Sequence, residues 1–234
     1  MQTVRETSGL AYEPVAGAYD EAFDEGGDVR PHYRALIEAL GGVELAELVR
    51  AVGDDLRARG ASFHRASGNS DFLVDPVPRL IESDEWAAIE RGIRQRVRAL
   101  NAFLADVYGE RRIVAAGVVP ARVIQSADHH EPRMRDVPVP HGVYAGAVGL
   151  DLARDSDGRL YVLEDNTRTP SGYTYVLAAR DTLDERLPEA TSDIARAPVA
   201  DTVERLAGAL RAAAPDGVDD PQIALLSDGE SNSA

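Results

Sequence analysis

Three residues near the middle of the chain, Asp151, Glu164 and Asn166, have types and spacing suited to metal chemistry. Asp151 lies in an alternating apolar stretch and Glu164 follows the apolar run 160–163, so two strands are expected around the turn 155–158. Side chains alternate along a strand, so Glu164 and Asn166 point to the same side. Folding the hairpin about its turn sets Asp151 close to Glu164. The sequence therefore predicts two carboxylates and one amide oxygen on one face of an antiparallel hairpin.

Such a face is suited to a divalent cation. Two carboxylates that oppose each other across a hairpin repel unless a cation lies between them. Carboxylate and amide oxygens are hard ligands, and Mg²⁺ held by one or two carboxylates completes its octahedron with waters and substrate phosphates. Asp151, Glu164 and Asn166 are therefore predicted to bind Mg²⁺ (or Mn²⁺) together with a nucleotide.

The residues that follow the predicted ligands are suited to anion binding. Arg168 can hold a phosphate or carboxylate by a two-point contact. Thr169, Ser171 and Gly172 lead into a helical pattern over residues 175–183, and the free backbone N–H groups at a helix start attract anions. We therefore expect these residues to bind the phosphate or an anionic group of the substrate.

The acids of the turn have a different interpretation. Asp155 and Asp157 resemble part of a calcium loop, but the glutamate at the twelfth position of an EF-hand is absent. A plain turn with satisfied surface acids is the alternative for these two residues. For Asp151, Glu164 and Asn166 the metal interpretation is favoured, because three metal-competent groups share one face and an arginine follows.

Helical periodicity is predicted on both sides of the hairpin. Helices are expected over residues 31–40, 45–59, 83–108, 113–124 with a break at Gly117, 175–183 and 203–214. Short strands are expected at 62–64, 72–74 and 78–81, with a loop at 67–70. The apolar stripe of the long helix is predicted to be core: Trp86, Ile89, Ile93, Val97, Leu100, Phe103, Leu104 and Val107. Ser83 is its predicted N-cap, and the acidic segment 20–28 is predicted to be a solvated turn.

Five segments together resemble one known family. They are Tyr19-Asp-Glu-Ala-Phe-Asp, Val29-Arg-Pro-His-Tyr, Pro78-Arg-Leu-Ile, Gln95-Arg-Val-Arg-Ala-Leu-Asn-Ala-Phe-Leu-Ala-Asp-Val-Tyr and Leu163-Glu-Asp-Asn-Thr-Arg-Thr-Pro-Ser-Gly. The combination covers almost the whole chain and resembles the circularly permuted ATP-grasp proteins (type 2, glutathionylspermidine synthase-like). The resemblance implies an α+β, ATP-grasp-like fold, with helices packed on a mixed sheet and an antiparallel β-hairpin that carries the metal site.

The resemblance also implies an activity. Similar enzymes are ATP- and Mg²⁺-dependent ligases that join a carboxylate to an amine through an acyl phosphate, with ATP as co-substrate and small molecules or peptides as substrates. It makes Arg168 a catalytic residue and places Arg79, and with it Asp75, near the cleft; a structural turn is an equally good interpretation of Asp75. Two rivals stay open, namely a catalytically incomplete binding module and another Mg²⁺-dependent phosphotransferase or hydrolase. The residues do not identify the acid or the amine.

Composition argues against several other functions. A net charge of −15 argues against a nucleic-acid partner. No apolar run approaches the roughly 18 residues of a membrane span, and the first residues lack a signal-peptide core, which predicts a cytoplasmic protein without a membrane partner. The chain has no cysteine and all 25 of its basic residues are arginine, so it offers no thiolate or lysine for chemistry. A homo-oligomer is left open.

Three regions are predicted along the chain. Residues 1–60 form an N-terminal helical segment, and residues 61–188 form a metal- and nucleotide-binding subdomain. Residues 189–234 form a linker and the start of a further α/β lobe. A strand that begins at Ile223 without a partner would leave an exposed edge. This lobe is therefore expected to be incomplete and the chain to be an N-terminal fragment, with the phosphate-binding lysines of similar enzymes in the absent part.

Overall fold

Helices form most of the regular structure in the described part of the chain. The computed structural model describes residues 12, 14–65, 68–71, 74–168, 170, 172–192 and 194–224. The helices are α1 (Arg34–Leu40), α2 (Leu45–Ala58), α3 (Ser83–Tyr108), α4 (Arg112–Ala115), α5 (Ala121–Gln125), α6 (Tyr173–Arg186), α7 (Pro188–Ser192) and α8 (Thr202–Ala212). The strands are β1 (Ser62–Arg65), β2 (Gly68–Asp71), β3 (Gly149–Arg154) and β4 (Leu160–Asn166). Short 3₁₀ turns lie at Pro31–Tyr33, Pro132–Met134 and Pro140–Gly142.

The first two helices follow the predicted pattern. Pro31 opens the 3₁₀ turn that precedes α1, a position where its missing N–H costs nothing. Gly42 adopts a φ of 88°, which separates α1 from α2 without the strain that another residue would suffer. Both predicted helices are thereby confirmed.

The main core joins the N-terminal helices to the helices that follow the β3–β4 hairpin. Helix α2 packs on α6, and α1 packs on α7. The buried apolar side chains of this core include Tyr33, Leu36, Ile37, Leu40, Leu48, Val52, Leu56, Leu183, Leu187 and Ala190. The burial of these apolar side chains is the main contribution to the stability of the helices that carry them. It also fixes α6, and therefore the helix start at Gly172, to the N-terminal part of the protein.

The acidic segment 20–28 is only partly the solvated turn that was predicted. A carboxylate oxygen of Asp20 accepts hydrogen bonds from the backbone N–H groups of Ala22 and Phe23, each at 2.8 Å. Both of these residues are buried in the core. The prediction was wrong here because Asp20 satisfies the backbone of a turn whose apolar residues point inward.

The segment after α2 also differs from its prediction. Strands β1 and β2 form an antiparallel hairpin in which Arg65 pairs with Gly68, so the predicted loop 67–70 is largely strand. Of the predicted strand 72–74, Phe72 and Leu73 lie outside the described residues. The stretch 78–81 belongs to no strand, and the backbone N–H of Leu80 donates to the Tyr33 hydroxyl oxygen at 2.8 Å. The Tyr33 hydroxyl thus takes the place of the neighbouring strand that would otherwise accept this backbone hydrogen bond.

Helix α3 is the longest helix, but its apolar stripe is not the predicted core. Of the eight stripe residues only Val107 is buried, and Trp86 is 50% exposed. The reason is that the β3–β4 hairpin covers only one part of the helix. Most of the stripe is therefore half-exposed. The predicted cap is also displaced: Ser83 is the first helical residue, and Glu82 precedes it without a side-chain capping bond.

The predicted mixed sheet is not formed by the described residues. Their strands make two separate antiparallel pairs, β1–β2 and β3–β4. Helix α8 is confirmed, although none of its residues is buried. Ile223 and Ala224 belong to no strand, and the rest of the strand predicted there lies outside the described residues. None of the described helices is both long enough and apolar enough to cross a bilayer.

Candidate functional site

The β3–β4 hairpin brings the predicted metal ligands together. Asp151 pairs with Glu164, and Gly149 pairs with Asn166. Directly opposed residues have Cβ atoms roughly 5 Å apart. The predicted register, with Asp151 opposite Glu164, is therefore confirmed.

In the turn of this hairpin, the Asp155 side chain hydrogen-bonds to the backbone. Gly158 adopts a φ of 80°. A carboxylate oxygen of Asp155 accepts from the backbone N–H groups of Asp157 and Arg159, at 3.0 and 2.8 Å. The turn interpretation of Asp155 is confirmed, because its carboxylate is occupied by the backbone that it folds.

A β-bulge decides which side chains share the face of Asp151. The register shifts between Asp151 and Leu152, whose partners are Glu164 and Val162, so Leu163 is the extra residue. In a regular strand Glu164 would lie on the same face as Val162, because side chains alternate. The bulge turns Glu164 to the face of Asp151 and leaves Leu163 72% exposed. The sequence did not reveal this residue, because Val162 and Leu163 are both apolar.

The two faces of the hairpin are unlike. One face packs toward α3 and carries apolar side chains that line a groove with that helix: Leu150, Leu152, Leu160 and Val162. The opposite face carries Asp151, Glu164 and Asn166, of which the two acids are exposed. We call these the α3 face and the open face.

The α3 face also carries an ion pair that sequence reasoning missed. Asp165 lies between the two predicted ligands of β4 and accepts from the Arg96 guanidinium on α3, with Nε–Oδ1 and Nη2–Oδ2 distances of 2.6 and 2.7 Å. These hydrogen bonds hold the pKa of Asp165 below its ordinary value. A two-point contact of this kind fixes geometry as well as charge. The partners are too far apart in sequence for spacing to reveal them.

A buried arginine anchors the turn end of the hairpin. The Arg154 side chain is 8% exposed, and its guanidinium contacts Glu85 of α3 at 2.7 Å and Glu21 at 2.9 Å. It also donates to the carbonyl oxygen of Gly158 at 2.7 Å and lies 5.2 Å from the ring centre of Tyr19. The hydrogen bonds that Arg154 donates to Glu85 and Glu21 raise its pKa against the opposing effect of burial. This network joins the N-terminal segment, α3 and β3.

Gly149 lets the segment after β4 fold onto the open face. A Cβ at Gly149 would lie 3.1 Å from the Cβ of Pro170 and 3.7 Å from that of Asn166. Gly149 and Asp151 are two residues apart, so a Cβ at Gly149 would point to the same face as Asp151. Pro170 therefore covers the end of the face that carries the predicted ligands.

The predicted anion-binding residues are only partly described. Arg168 is exposed and forms no ion pair with another residue of the described part. Gly172 has a φ of 107° and immediately precedes α6, which confirms the predicted helix start. Thr169 and Ser171 lie outside the described residues, so their roles stay predictions.

Arg79 is not brought to the open face. Its Nε lies 2.9 Å from an oxygen of Glu21 that also accepts from Arg154, at the turn end of the hairpin and on the α3 side. A role for Arg79 in substrate binding stays a prediction. Asp75 accepts from the backbone N–H of Val77 at 2.9 Å, as the structural-turn interpretation predicts.

The open face carries oxygen donors of the kind that hard cations bind. In the part of the chain that the structure describes, neither Asp151 nor Glu164 forms a salt bridge, whereas the neighbouring Asp165 does. The same residues contain no group of three or more His, Cys, Asp or Glu side chains that could hold a metal ion. Two opposed carboxylates and one amide oxygen fit a cation such as Mg²⁺, which takes one or two carboxylates and fills its remaining positions from water and substrate.

Helices packed around antiparallel hairpins place the protein among the α+β folds. Within that class the chain belongs to the circularly permuted ATP-grasp type 2 family, whose model matches residues 78–234. Proteins of the ATP-grasp class use ATP and a divalent metal in general. The family expected from the sequence motifs is therefore confirmed.

Longer bacterial proteins resemble the chain over most of its length. An uncharacterized protein of Mycobacterium tuberculosis (strain H37Rv) is 37% identical over 222 residues, which are 94% of this chain and 40% of that protein. An uncharacterized protein of Synechocystis is 34% identical over 96% of this chain and 48% of its own length. A Frankia alni protein named "Putative glutamate--cysteine ligase 2-3" is 41% identical over 95% of this chain and 26% of its own length. The chain thus spans between about a quarter and a half of these relatives.

Proposed function

We propose that the protein provides the metal-binding part of an ATP-dependent carboxylate–amine ligase. The observation that carries the proposal is the pairing of Asp151 with Glu164 on an exposed face, without a cationic partner in the described part of the chain. Membership of the ATP-grasp family supports the use of ATP and a divalent cation.

The roles follow from the chemistry of each group. Asp151, Glu164 and Asn166 would hold Mg²⁺ or Mn²⁺ through their oxygens. When bound, the cation supplies charge neutralisation for the transferring phosphoryl group, which is the main catalysis such a transfer requires. Arg168 would contact the phosphoryl group by a two-point contact, where loss of a key charge contact costs on the order of 100-fold in rate.

The reaction has two balanced steps. A carboxylate oxygen of the substrate attacks the γ-phosphorus of ATP and ADP leaves, which gives an acyl phosphate. The amine nitrogen then attacks the acyl carbon, phosphate leaves, and the amine loses a proton. The N–H groups at the start of α6 near Gly172, with Thr169 and Ser171, would bind the anionic group of the substrate. Arg79 is a further proposed contact to the substrate.

The substrates are proposed by analogy with the Frankia relative. Its name identifies glutamate and cysteine as the first carboxylate and amine to test. The chain matches 26% of that protein's length. Other small amino acids and short peptides belong in the same panel.

Metal binding tests the proposal directly. Free Mn²⁺ measured by electron paramagnetic resonance should fall on addition of the protein and be restored by excess Mg²⁺. Asp151→Asn and Glu164→Gln should weaken Mn²⁺ binding by roughly 100-fold, because even the loss of an outer-shell partner costs about 10- to 100-fold. Asp157→Asn is the matched control, since it makes the same charge change at the exposed turn of the same hairpin, and should bind Mn²⁺ normally.

Turnover distinguishes the ligase from its rivals. With Mg²⁺, ATP, an acid and an amine, the ligase forms ADP, phosphate and an amide, and Arg168→Met should slow this by about 100-fold. Phosphate release that needs no amine would favour a hydrolase or another phosphotransferase. Metal binding without any turnover would favour a binding module. If Asn166→Ala or Glu164→Gln leaves metal-dependent turnover unchanged, the assignment of these ligands is wrong.

A further inference from the structure

The ion pair between Arg96 and Asp165 lies directly behind the predicted metal ligands of β4. Asp165 is flanked by Glu164 and Asn166, and its side chain points to the opposite face, where α3 presents Arg96. The two partners are 69 residues apart in sequence and belong to different elements. The contact therefore ties the ligand-bearing end of β4 to the long helix.

The register of β4 decides which face Glu164, Asp165 and Asn166 occupy. The bulge at Leu163 immediately precedes Glu164, and it alone gives Glu164 the same face as Asp151. If the bulge were lost, a one-residue slip would turn Glu164 and Asn166 toward α3 and Asp165 toward solvent. A constraint on Asp165 opposes that slip, because it holds the one side chain that must stay on the α3 face.

The geometry of the pair is stronger than that of an ordinary surface ion pair. Exposed pairs contribute little on average, but two-point arginine–carboxylate contacts are the exception. Asp165 is 18% exposed, and both of its oxygens accept from Arg96.

We propose that Arg96 is a positioning residue that keeps Glu164 and Asn166 on the open face by holding Asp165 on the other. The proposal rests on the proposed metal role of those two residues. Arg96 itself would touch neither the cation nor the substrate. Its effect would pass through the backbone of β4, whose orientation decides whether the amide and carboxylate oxygens converge.

The test compares Arg96→Gln with Arg94→Gln in the full chain. Arg94 lies on the same helix and pairs within it, with Glu90 at 2.6 Å, so its replacement makes the same charge change without touching the hairpin. Arg96→Gln should weaken Mn²⁺ binding on the order of tenfold, and Arg94→Gln should leave it within twofold. Arg96→Lys keeps the charge but loses the two-point contact, so it should restore the affinity only in part. Asp165→Asn should resemble Arg96→Gln, and the double variant should be no worse than either.

Hydrogen exchange supplies a readout that does not depend on metal. Amides of β4 around residues 163–167 should exchange faster in Arg96→Gln, while those in α3 and in the α1–α2 core should not. Equal Mn²⁺ affinity and equal exchange in the Arg96 and Arg94 variants would overturn the proposal, with the metal assignment intact.

Failure of the metal assignment looks different. If the unmodified chain binds no Mn²⁺, the proposed metal site falls, and with it the claim that Arg96 positions metal ligands. Faster β4 exchange in Arg96→Gln would in that case reduce the pair to a structural contact.

Discussion

The two faces of the β3–β4 hairpin differ in whether their charged side chains are paired. On the α3 face, Asp165 is paired with Arg96, and Arg154 is paired with two glutamates. On the open face, Asp151 and Glu164 oppose each other without a cationic partner among the described residues. The charged side chains on the α3 face thus have partners of opposite charge, whereas, within the described part of the chain, the two acids on the open face do not.

This difference separates structural charges from charges available to a ligand. A paired charge on the α3 face stabilises the fold, so its loss should appear first in the free energy of unfolding. An unpaired acid on the open face costs stability through like-charge repulsion, so its loss should appear in ligand binding and not as destabilisation. Three substitutions test whether the faces behave in these opposite ways.

The largest expected effect on stability belongs to Arg154. Arg154→Met removes the guanidinium, so Glu85 loses this partner and Glu21 keeps only its contact with Arg79 in the described part of the chain. We expect a loss of about 2–3 kcal/mol in the free energy of unfolding, somewhat below the 3–5 kcal/mol typical of a fully buried pair, because both glutamates keep access to water. Urea unfolding measures it.

Arg159 offers the matched control for this substitution. It is an exposed arginine on the same hairpin, and Arg159→Met should change the free energy of unfolding by less than about 0.5 kcal/mol. Equal losses for the two variants would show that the buried network does not anchor the hairpin.

A smaller effect is expected from Asp165, and it depends on pH. The pKa of Asp165 is lowered in the folded state by hydrogen bonds from Arg96. The Asp165 carboxylate therefore contributes fully to the free energy of unfolding above its unfolded-state pKa of about 3.9. This contribution is lost as the pH falls through the lower folded-state pKa. Thermal unfolding between pH 6 and pH 2.5 should show a shallower acid loss for Asp165→Asn than for the unmodified protein. Parallel curves would contradict the pairing.

The smallest effect should have the opposite sign. Glu164→Gln removes one of two opposed carboxylates, so without metal it should stabilise the protein by a few tenths of a kcal/mol. Urea unfolding in the presence of a chelator measures this gain. Destabilisation by more than about 1 kcal/mol would show that Glu164 is a structural residue and that the contrast between the faces is false.

The sequence predicted local geometry better than long-range packing. The turn at Gly158 and the alternation around it were enough to pair Asp151 with Glu164, because a hairpin is a local structure. The bulge at Leu163 was not predicted, since either of two adjacent apolar residues can be the extra one.

Long-range contacts were missed for a different reason. Arg96 resembles any other arginine on α3, and only the fold shows that it faces Asp165. The spacing of the apolar residues in α3 correctly predicts a helix, but the prediction that they form core is wrong, because periodicity gives the direction of a face and not the amount of protein that covers it.

The most direct test of a cation site on the open face is thermal unfolding with and without Mg²⁺. Mg²⁺ at about ten times its Kd should stabilise the unmodified protein by about 1.4 kcal/mol, which raises Tm by roughly 3–6 °C for a chain of this size. Glu164→Gln should show no such rise, and Asp157→Asn should show all of it. An unchanged Tm for the unmodified protein, or an equal rise in Glu164→Gln, would contradict the account.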